Sequence, residues 1–500
     1  MIKKALIRIV ARFKKKQVNS WAQNPIDVQN KQLKYIVKKA RKTIFGRDHN
    51  FSEITNYEQF KLKVPVRDYE DLRKYFEKIK LGKKNVLWPG KPRYLAVTSG
   101  TTSGSKYIPI TKESLKNHLN GAKTALLMYI AETNQVDFID GKYIFIQGSP
   151  VLSKISGILT GRLSGISAHH VPFYLRRNMM PTWKTNVVEN WENKVEGIVQ
   201  ETLGENMTII SGIPSWLQMY FEKLVEKAET NISNIFPNLS LLIYGGVNYA
   251  PYRQKFLELI GKEVDSIELF PASEGFFAFQ DSQQRKDLLL ILNAGIYYEF
   301  IDVENFRKNI MHRVPISAVE KDKNYVMIIS SSAGLWAYNT GDTIKFTCLM
   351  PYRIQVTGRI KQSLSAFGEH VIVKEVEVAI EKAALKTENL VKEFTVAPKF
   401  KSKSSKACHE WFVEFEGHPK SLEAFSSSID KELQKQNKYY KDLIVGKVID
   451  KPKIEIVCPG GFKTYMKSVG KLGGQNKIPK IASDRKIADK LFKYNLVVKD

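Results

Sequence analysis

The feature that most restricts the fold is an alternation running through the middle of the chain. Apolar, β-branched runs that end in Gly, Ser or Pro ("KYIFIQG", "MTIISGIP", "LSLLIYGG", "DSIELFPAS", "NYVMIISS") alternate with helix-like stretches at Trp191 to Leu203, Ser215 to Lys227 and Tyr252 to Ile260. Short apolar runs bounded by turn residues read as buried strands. Strands fed by helices build an α/β sheet whose strand ends open onto a ligand crevice. The alternation breaks at "TGRIKQSLSAF", and a new series begins with helix "VKEVEVAIEKA", strands "KEFTVAP" and "EWFVEFE", and a helix over Ser421 to Gln436. A chain of 500 residues exceeds one ordinary core. The expected organisation is a large domain over 1–357, with mixed sheets and helices, joined by a hinge to a smaller α/β domain over 358–500.

Charge narrows the function classes. The net charge is +27, with lysine in excess of arginine and spread along the chain. No aromatic RNP pattern, zinc-finger spacing or helix-turn-helix signature accompanies it, so no specific nucleic-acid partner is expected. The first fifty residues concentrate the charge. There Ile2, Leu6, Ile9, Val10 and Phe13 share one helical face, with Lys3, Lys4, Arg8, Lys15 and Lys16 largely off it. This face is expected to dock on the protein's own domain, with weak membrane-surface contact as the alternative. Arg8 and Arg12 interrupt any signal-peptide core, no run of about 18 apolar residues exists, and the three cysteines form no CxxC pair. A cytoplasmic location is expected.

The stretch "RYLAVTSGTTSGSKYIPIT" carries the first chemical signal. A phosphate-binding P-loop needs GxxxxGK[ST] between a strand and a helix. Here the spacing is G-x-x-x-G-S-K, Tyr107 holds the Ser/Thr position, and both flanks are strand-like, so the segment is a hairpin loop. Its hydroxyls, Gly100, Gly104 and Lys106 still suit phosphate, and a polar surface hairpin fits them equally well. Three later segments favour the phosphate reading. "IELFPASEGFFAF" puts Ser273 and Glu274 at a strand terminus, where Glu274 can hold Mg²⁺ beside substrate phosphates. "GLWAYNTGDTIKF" presents Asp342 in a turn, a carboxylate acceptor for ribose hydroxyls, and "VTGRIKQ" puts Arg359 at the hinge.

In this order the four elements are the layout of adenylate-forming enzymes. The chain resembles the Gretchen Hagen family of auxin-responsive acyl acid amido synthetases and its bacterial relatives. The stretches that carry the likeness include "FGRDHNFSEITNYEQFKLKVPVRDYEDLRKYF", "LAVTSGTTSGSKYIPIT", "LIYGGVNYAPY", "LFPASEGFFAF" and "GRIKQSLSAFGEHV". The resemblance implies activation of a carboxylic acid by ATP as an acyl-adenylate, then transfer to an amine, typically an amino acid. It also implies the site. Ser99, Thr101, Thr102 and Lys106 would hold phosphates, Glu274 the Mg²⁺ and Asp342 the ribose, with Arg359 supporting the nucleotide. Gly245, Gly246, Ala272 and Ser273 would lie beside the nucleotide, and Tyr244 and Val247 near the acyl pocket. Lys106, Glu274 and Arg359 would be the catalytic set.

The loop is one residue shorter than the usual plant form between its second glycine and lysine, and Asn339 stands where arginine is common. "GGQNKIPK" resembles the family's ending and makes Lys477 and Lys480 the lysines to follow. An acyl-thioester synthetase shares the first step, and a catalytically silent basic binding protein shares the charge. The adjacent His169 and His170 lack ligand spacing and are expected to be ordinary loop or pocket residues. The aromatic run around Phe276 and Phe277 reads as core packing or as a wall of the acyl pocket.

Overall fold

Four of the five alternating runs form the parallel core of one large sheet, and the fifth, "NYVMIISS", joins the same sheet antiparallel to Ile296–Asp302. The protein is described here by a computed structural model covering residues 2–98, 106–188, 190–246, 249, 252–360, 363–364, 366–367, 371–400, 407–445, 449–470, 477–482 and 484–498. It divides into two compact units, Met1–Thr340 with Ile344–Val356, and Gly341–Thr343 with Thr357–Asp500.

In the first unit, strands Met179–Met180, Lys142–Ile146, Met207–Gly212, Leu241–Gly245 and Asp265–Ala272 lie side by side, all parallel. Helices Trp191–Thr202, Pro214–Ala228 and Arg253–Ile260 connect them. Strand Leu241–Gly245 explains its unbroken apolar sequence. Leu242 and Tyr244 enter a core with Leu217, Phe221 and Phe256, while Leu241 and Ile243 enter one with Leu127, Met128 and Phe276. Alternate side chains point to opposite faces, and both faces are covered. Beyond Asp265–Ala272 the sheet continues with Gly275–Phe279 and Leu288–Leu290, which pair antiparallel, and with strands as far as Arg313–Pro315.

A smaller sheet holds the predicted hairpin, Tyr94–Thr98 antiparallel to Lys106–Ile110. Helix Lys112–Thr133 leaves it through a capping box in which Thr111 and Ser114 satisfy each other's backbone N–H groups.

Two expectations need correction. The helix Ile2–Ala22 does dock on its own unit, but through the side opposite the one expected: Ala11, Val18 and Ala22 are buried, and Ile2, Leu6, Ile9, Val10 and Phe13 are exposed. Small residues allow close packing against Leu127 and Met128, and ion pairs from Lys4 to Asp137 and Asp140 hold that orientation. Asp342 lies within strand Tyr338–Leu349 rather than in a turn. Gly341 takes a left-handed φ of +79° inside that strand, so a turn-like dipeptide is absorbed as a local irregularity. Phe276 belongs to the core under helix Lys112–Thr133.

In the second unit, strands Leu390–Lys399 and Cys408–Glu416 pair antiparallel, and Asp450–Val457 adds in parallel. Trp411 and Val413 meet the helices Val373–Thr387 and Leu422–Gln436 on one face, through Val376, Ile380, Phe425 and Ile429. Phe412 meets Phe462, Met466 and Leu491 on the other. This central strand is buried on both sides, as its apolar run requires.

Candidate active site

Lys106 opens the second strand of the hairpin and sits opposite Thr98. Its ammonium lies 5.7 Å from the centre of the Tyr69 ring, whose hydroxyl accepts the Tyr107 N–H at 3.0 Å. Tyr69 stacks on Phe76 with centroids 4.7 Å apart, and burial raises its pKa. The ring thus supports both the backbone and the cation at one end of the hairpin. Sequence reading gave Tyr69 no role, because a contact between distant segments leaves no periodic mark. Ser99, Thr101 and Thr102 lie outside the described residues.

Two neighbouring parallel strands bring the next residues together. Gly245 ends Leu241–Gly245 in register with Leu269, and Ser273 and Glu274 form the turn that ends Asp265–Ala272, where Ala272 pairs with Gly275. These are carboxyl ends of adjacent strands, the usual position for ligands in such sheets. A Cβ on Gly245 would stand 2.4 Å from the Leu269 carbonyl oxygen, so only glycine allows this approach. Gly246 takes a left-handed φ of +82°. Tyr244 is buried and stacks on Tyr249 at 4.2 Å, and Tyr249, a further residue missed in the sequence, has its pKa pushed up to about 12 by burial. Val247 lies outside the described residues. Glu274 is a buried carboxylate.

In the second unit Arg359 donates from Nε to Asp342 Oδ1 at 2.7 Å. The Asp342 side chain is buried and the Arg359 side chain is half exposed, so the guanidinium orients the carboxylate from the open side. Thr357 and Thr343 bond through their hydroxyls at 3.0 Å between the same two strands. Of the two lysines near the carboxyl end, Lys480 pairs with Glu393 and lies over the Phe394 ring. Lys477 differs: burial first, then the charges of Arg359 and Lys480, hold its pKa down to about 7 against an opposing pull from Glu377. An amine with that pKa is largely deprotonated just above neutrality, as a nucleophile or base needs to be.

Among the described residues no group of three or more His, Cys, Asp or Glu is arranged to hold a metal. His169 contacts the Pro150 carbonyl and His170 the Tyr94 hydroxyl, each at 2.9 Å. The single buried carboxylate of Glu274 does suit Mg²⁺, which takes one or two protein carboxylates and completes its octahedron with water and phosphate oxygens.

The chain matches three models in succession: the GH3 family N-terminal domain over 14–187, the central domain over 289–359 and the C-terminal domain over 374–486. Among curated proteins it is 22% identical over 386 residues to a jasmonoyl–L-amino acid synthetase of Nicotiana attenuata, covering 64% of this chain and 66% of that one, just under two thirds of the relative. It is 31% identical over 99 residues to the indole-3-acetic acid-amido synthetase GH3.15 of Arabidopsis thaliana, covering 19% and 16% of the two chains. Its fold matches the solved structure of GH3.15 acyl acid amido synthetase with a TM-score of 0.78 at 17% identity, over 99% of this chain and 97% of that one. It also matches 2-hydroxyisobutyryl-CoA ligase in complex with 2-HIB-AMP, with a TM-score of 0.59 at 15% identity, covering 97% and 91%. With the three domains present in order, the chain belongs to the GH3 family.

Proposed function

We propose that this protein is an ATP-dependent ligase that activates a carboxylic acid as its acyl-adenylate and transfers the acyl group to an amine, with an amino acid as the acceptor. The observation that supports this most is the pairing of the glycine strand end at Gly245 and Gly246 with the buried Glu274 turn on the neighbouring parallel strand. A backbone without side chains admits a flat base, and a carboxylate on the neighbouring strand suits the cation that would accompany the phosphates of the same ligand.

In the first step a carboxylate oxygen attacks the α-phosphorus, the bond to the bridging oxygen breaks, and pyrophosphate leaves with the electron pair. Lys106 and the hydroxyls of Ser99, Thr101 and Thr102 bind the β- and γ-phosphates. Tyr69 holds Lys106 at its strand end. Asp342 accepts the ribose hydroxyls and Arg359 orients it. Glu274 would hold Mg²⁺, which would supply positive charge to offset the developing pyrophosphate. Tyr244 lies near the acyl group, where the sequence also assigns Val247, and Ala272 and Ser273 lie beside the nucleotide. In the second step the amine nitrogen attacks the acyl carbon, the bond to AMP oxygen breaks, and nitrogen loses a proton. No protein nucleophile enters. Such a reaction draws on the ATP and amino acids of the cytoplasm, where we place the protein; its three free thiols are compatible with that location.

The same first step serves thioester formation, and the fold likeness to a CoA ligase keeps that reading in view. Incubation with ATP, Mg²⁺ and a panel of acids, with amino acids or coenzyme A as acceptor, separates the two by mass spectrometry of the products. An amide formed together with AMP is expected. Consumption of the acyl-adenylate by coenzyme A alone overturns the amide assignment.

A further inference from the structure

The helix Ile2–Ala22 has two apolar sides, and only one is used within the protein. Ala11, 0% exposed, and Val18, 2% exposed, lead the inner side against helix Lys112–Thr133. Lys4 pairs with Asp137 and Asp140, and Arg8 donates from Nε to the Asn134 carbonyl at 3.2 Å, at the carboxyl end of that helix. These contacts fix the helix's rotation, so the other side faces outward. It carries Ile2 (87% exposed), Leu6 (60%), Ile9 (61%), Val10 (43%) and Phe13 (63%). At helical spacing these five form one continuous ridge. Scattered exposed apolar residues are ordinary, but a continuous ridge marks an interaction surface.

The charges around the ridge say what fits it. Arg12 and Lys16 follow one edge and Lys3 the other, at angles set by a turn of 3.6 residues, and the helix contains no Asp or Glu. An apolar stripe bordered on both edges by long basic side chains is the pattern of a helix lying in the plane of a lipid interface. Its aliphatic side chains enter the acyl boundary while the lysines extend their ammonium groups toward anionic headgroups. No helix among the described residues is long and apolar enough to cross a membrane, so the contact is superficial.

We infer that the outward face of helix Ile2–Ala22 binds the surface of an anionic phospholipid bilayer and brings the first unit to it. The surface shares none of the residues assigned to the ligase reaction, and its test is independent of that reading. Full-length protein is sedimented with vesicles of phosphatidylcholine alone and of equimolar phosphatidylcholine and phosphatidylglycerol, at low and raised salt. Binding is expected only to the mixed vesicles and is expected to weaken with salt. The double substitution Leu6→Ser and Phe13→Ser should lower the partition coefficient at least about tenfold, with an unchanged circular-dichroism melt. Arg12→Glu with Lys16→Glu should lower it at least as far. Failure to bind mixed vesicles overturns the inference, as does equal binding by the Ser variant. Retention on double-stranded DNA without vesicle binding also overturns it, by assigning the charge to nucleic acid.

Discussion

Two residues show, in different ways, how local surroundings set what a position can do. Gly245 matters for what it lacks: any side chain there meets the backbone carbonyl of Leu269, which cannot rotate away. Gly245→Ala should therefore push the two strand ends apart at a cost of about 1–3 kcal/mol, read as a lower urea midpoint with unchanged slope, and nucleotide binding should weaken with it. Lys477 matters for its lowered pKa. Competitive labelling of amines across pH should find it half-reacted near pH 7, whereas a midpoint near 10 would remove its burial, and with it the crowding by Arg359 and Lys480, from the account. The stability consequence has a definite sign. The folded protein holds fewer protons on this amine than the unfolded chain between its lowered pKa of about 7 and its ordinary value of 10.5, so stability from this group rises with pH across that window. Lys477→Met should flatten that rise and add stability at neutral pH relative to pH 10.

Element by element, the sequence announces strands more clearly than it announces partners. Four of the five parallel strands are legible as apolar runs ended by Gly, Ser or Pro, a pattern that burial on both faces produces, whereas the two-residue Met179–Met180 is too short to leave one. Helix Ile2–Ala22 was legible as a helix but not in its orientation. Spacing finds the side with the largest apolar residues, whereas docking was decided by small Ala11 and Val18 and by acids far along the chain. Asp342 was misplaced for a related reason, since Gly beside Asp has the same composition in a turn and in a kinked strand. The strands Ile296–Asp302 and Arg313–Pro315 hold a pairing that no local pattern reveals: Arg313 Nε lies 3.0 Å from Glu299 Oε1, with both side chains buried. Arg313 also donates to the carbonyls of Lys61 at 2.9 Å and Val64 at 2.5 Å, closing the end of helix Tyr57–Lys63. Arg313→Met leaves Glu299 buried without its cation and should cost about 3–5 kcal/mol in chemical denaturation. Adding Glu299→Met should recover much of that loss, and failure to recover would mean that the carbonyl contacts, not the ion pair, hold these elements.

At the scale of the whole molecule, two units with separate cores account for the change of pattern in the sequence. The first presents Lys106, Gly245, Gly246 and Glu274, and the second Asp342, Arg359 and Lys477. Gly245, Glu274 and Lys106 stand out in the sequence because each lies where an apolar run starts or stops, and the structure puts each at or beside a strand end. Tyr69 and Tyr249 do not stand out, because aromatic supports resemble any other core residue until the fold brings their partners to them. The central claim is adenylation of an acid by ATP. The measurement that tests it most directly is ATP–pyrophosphate exchange with Mg²⁺ and pooled aromatic, indole and aliphatic carboxylic acids, alongside Lys106→Ala and Glu274→Gln. The account predicts exchange that depends on an added acid and falls about a hundredfold or more in each variant. Acid-dependent exchange that survives both substitutions unchanged, or a protein that does not bind ATP, would contradict it.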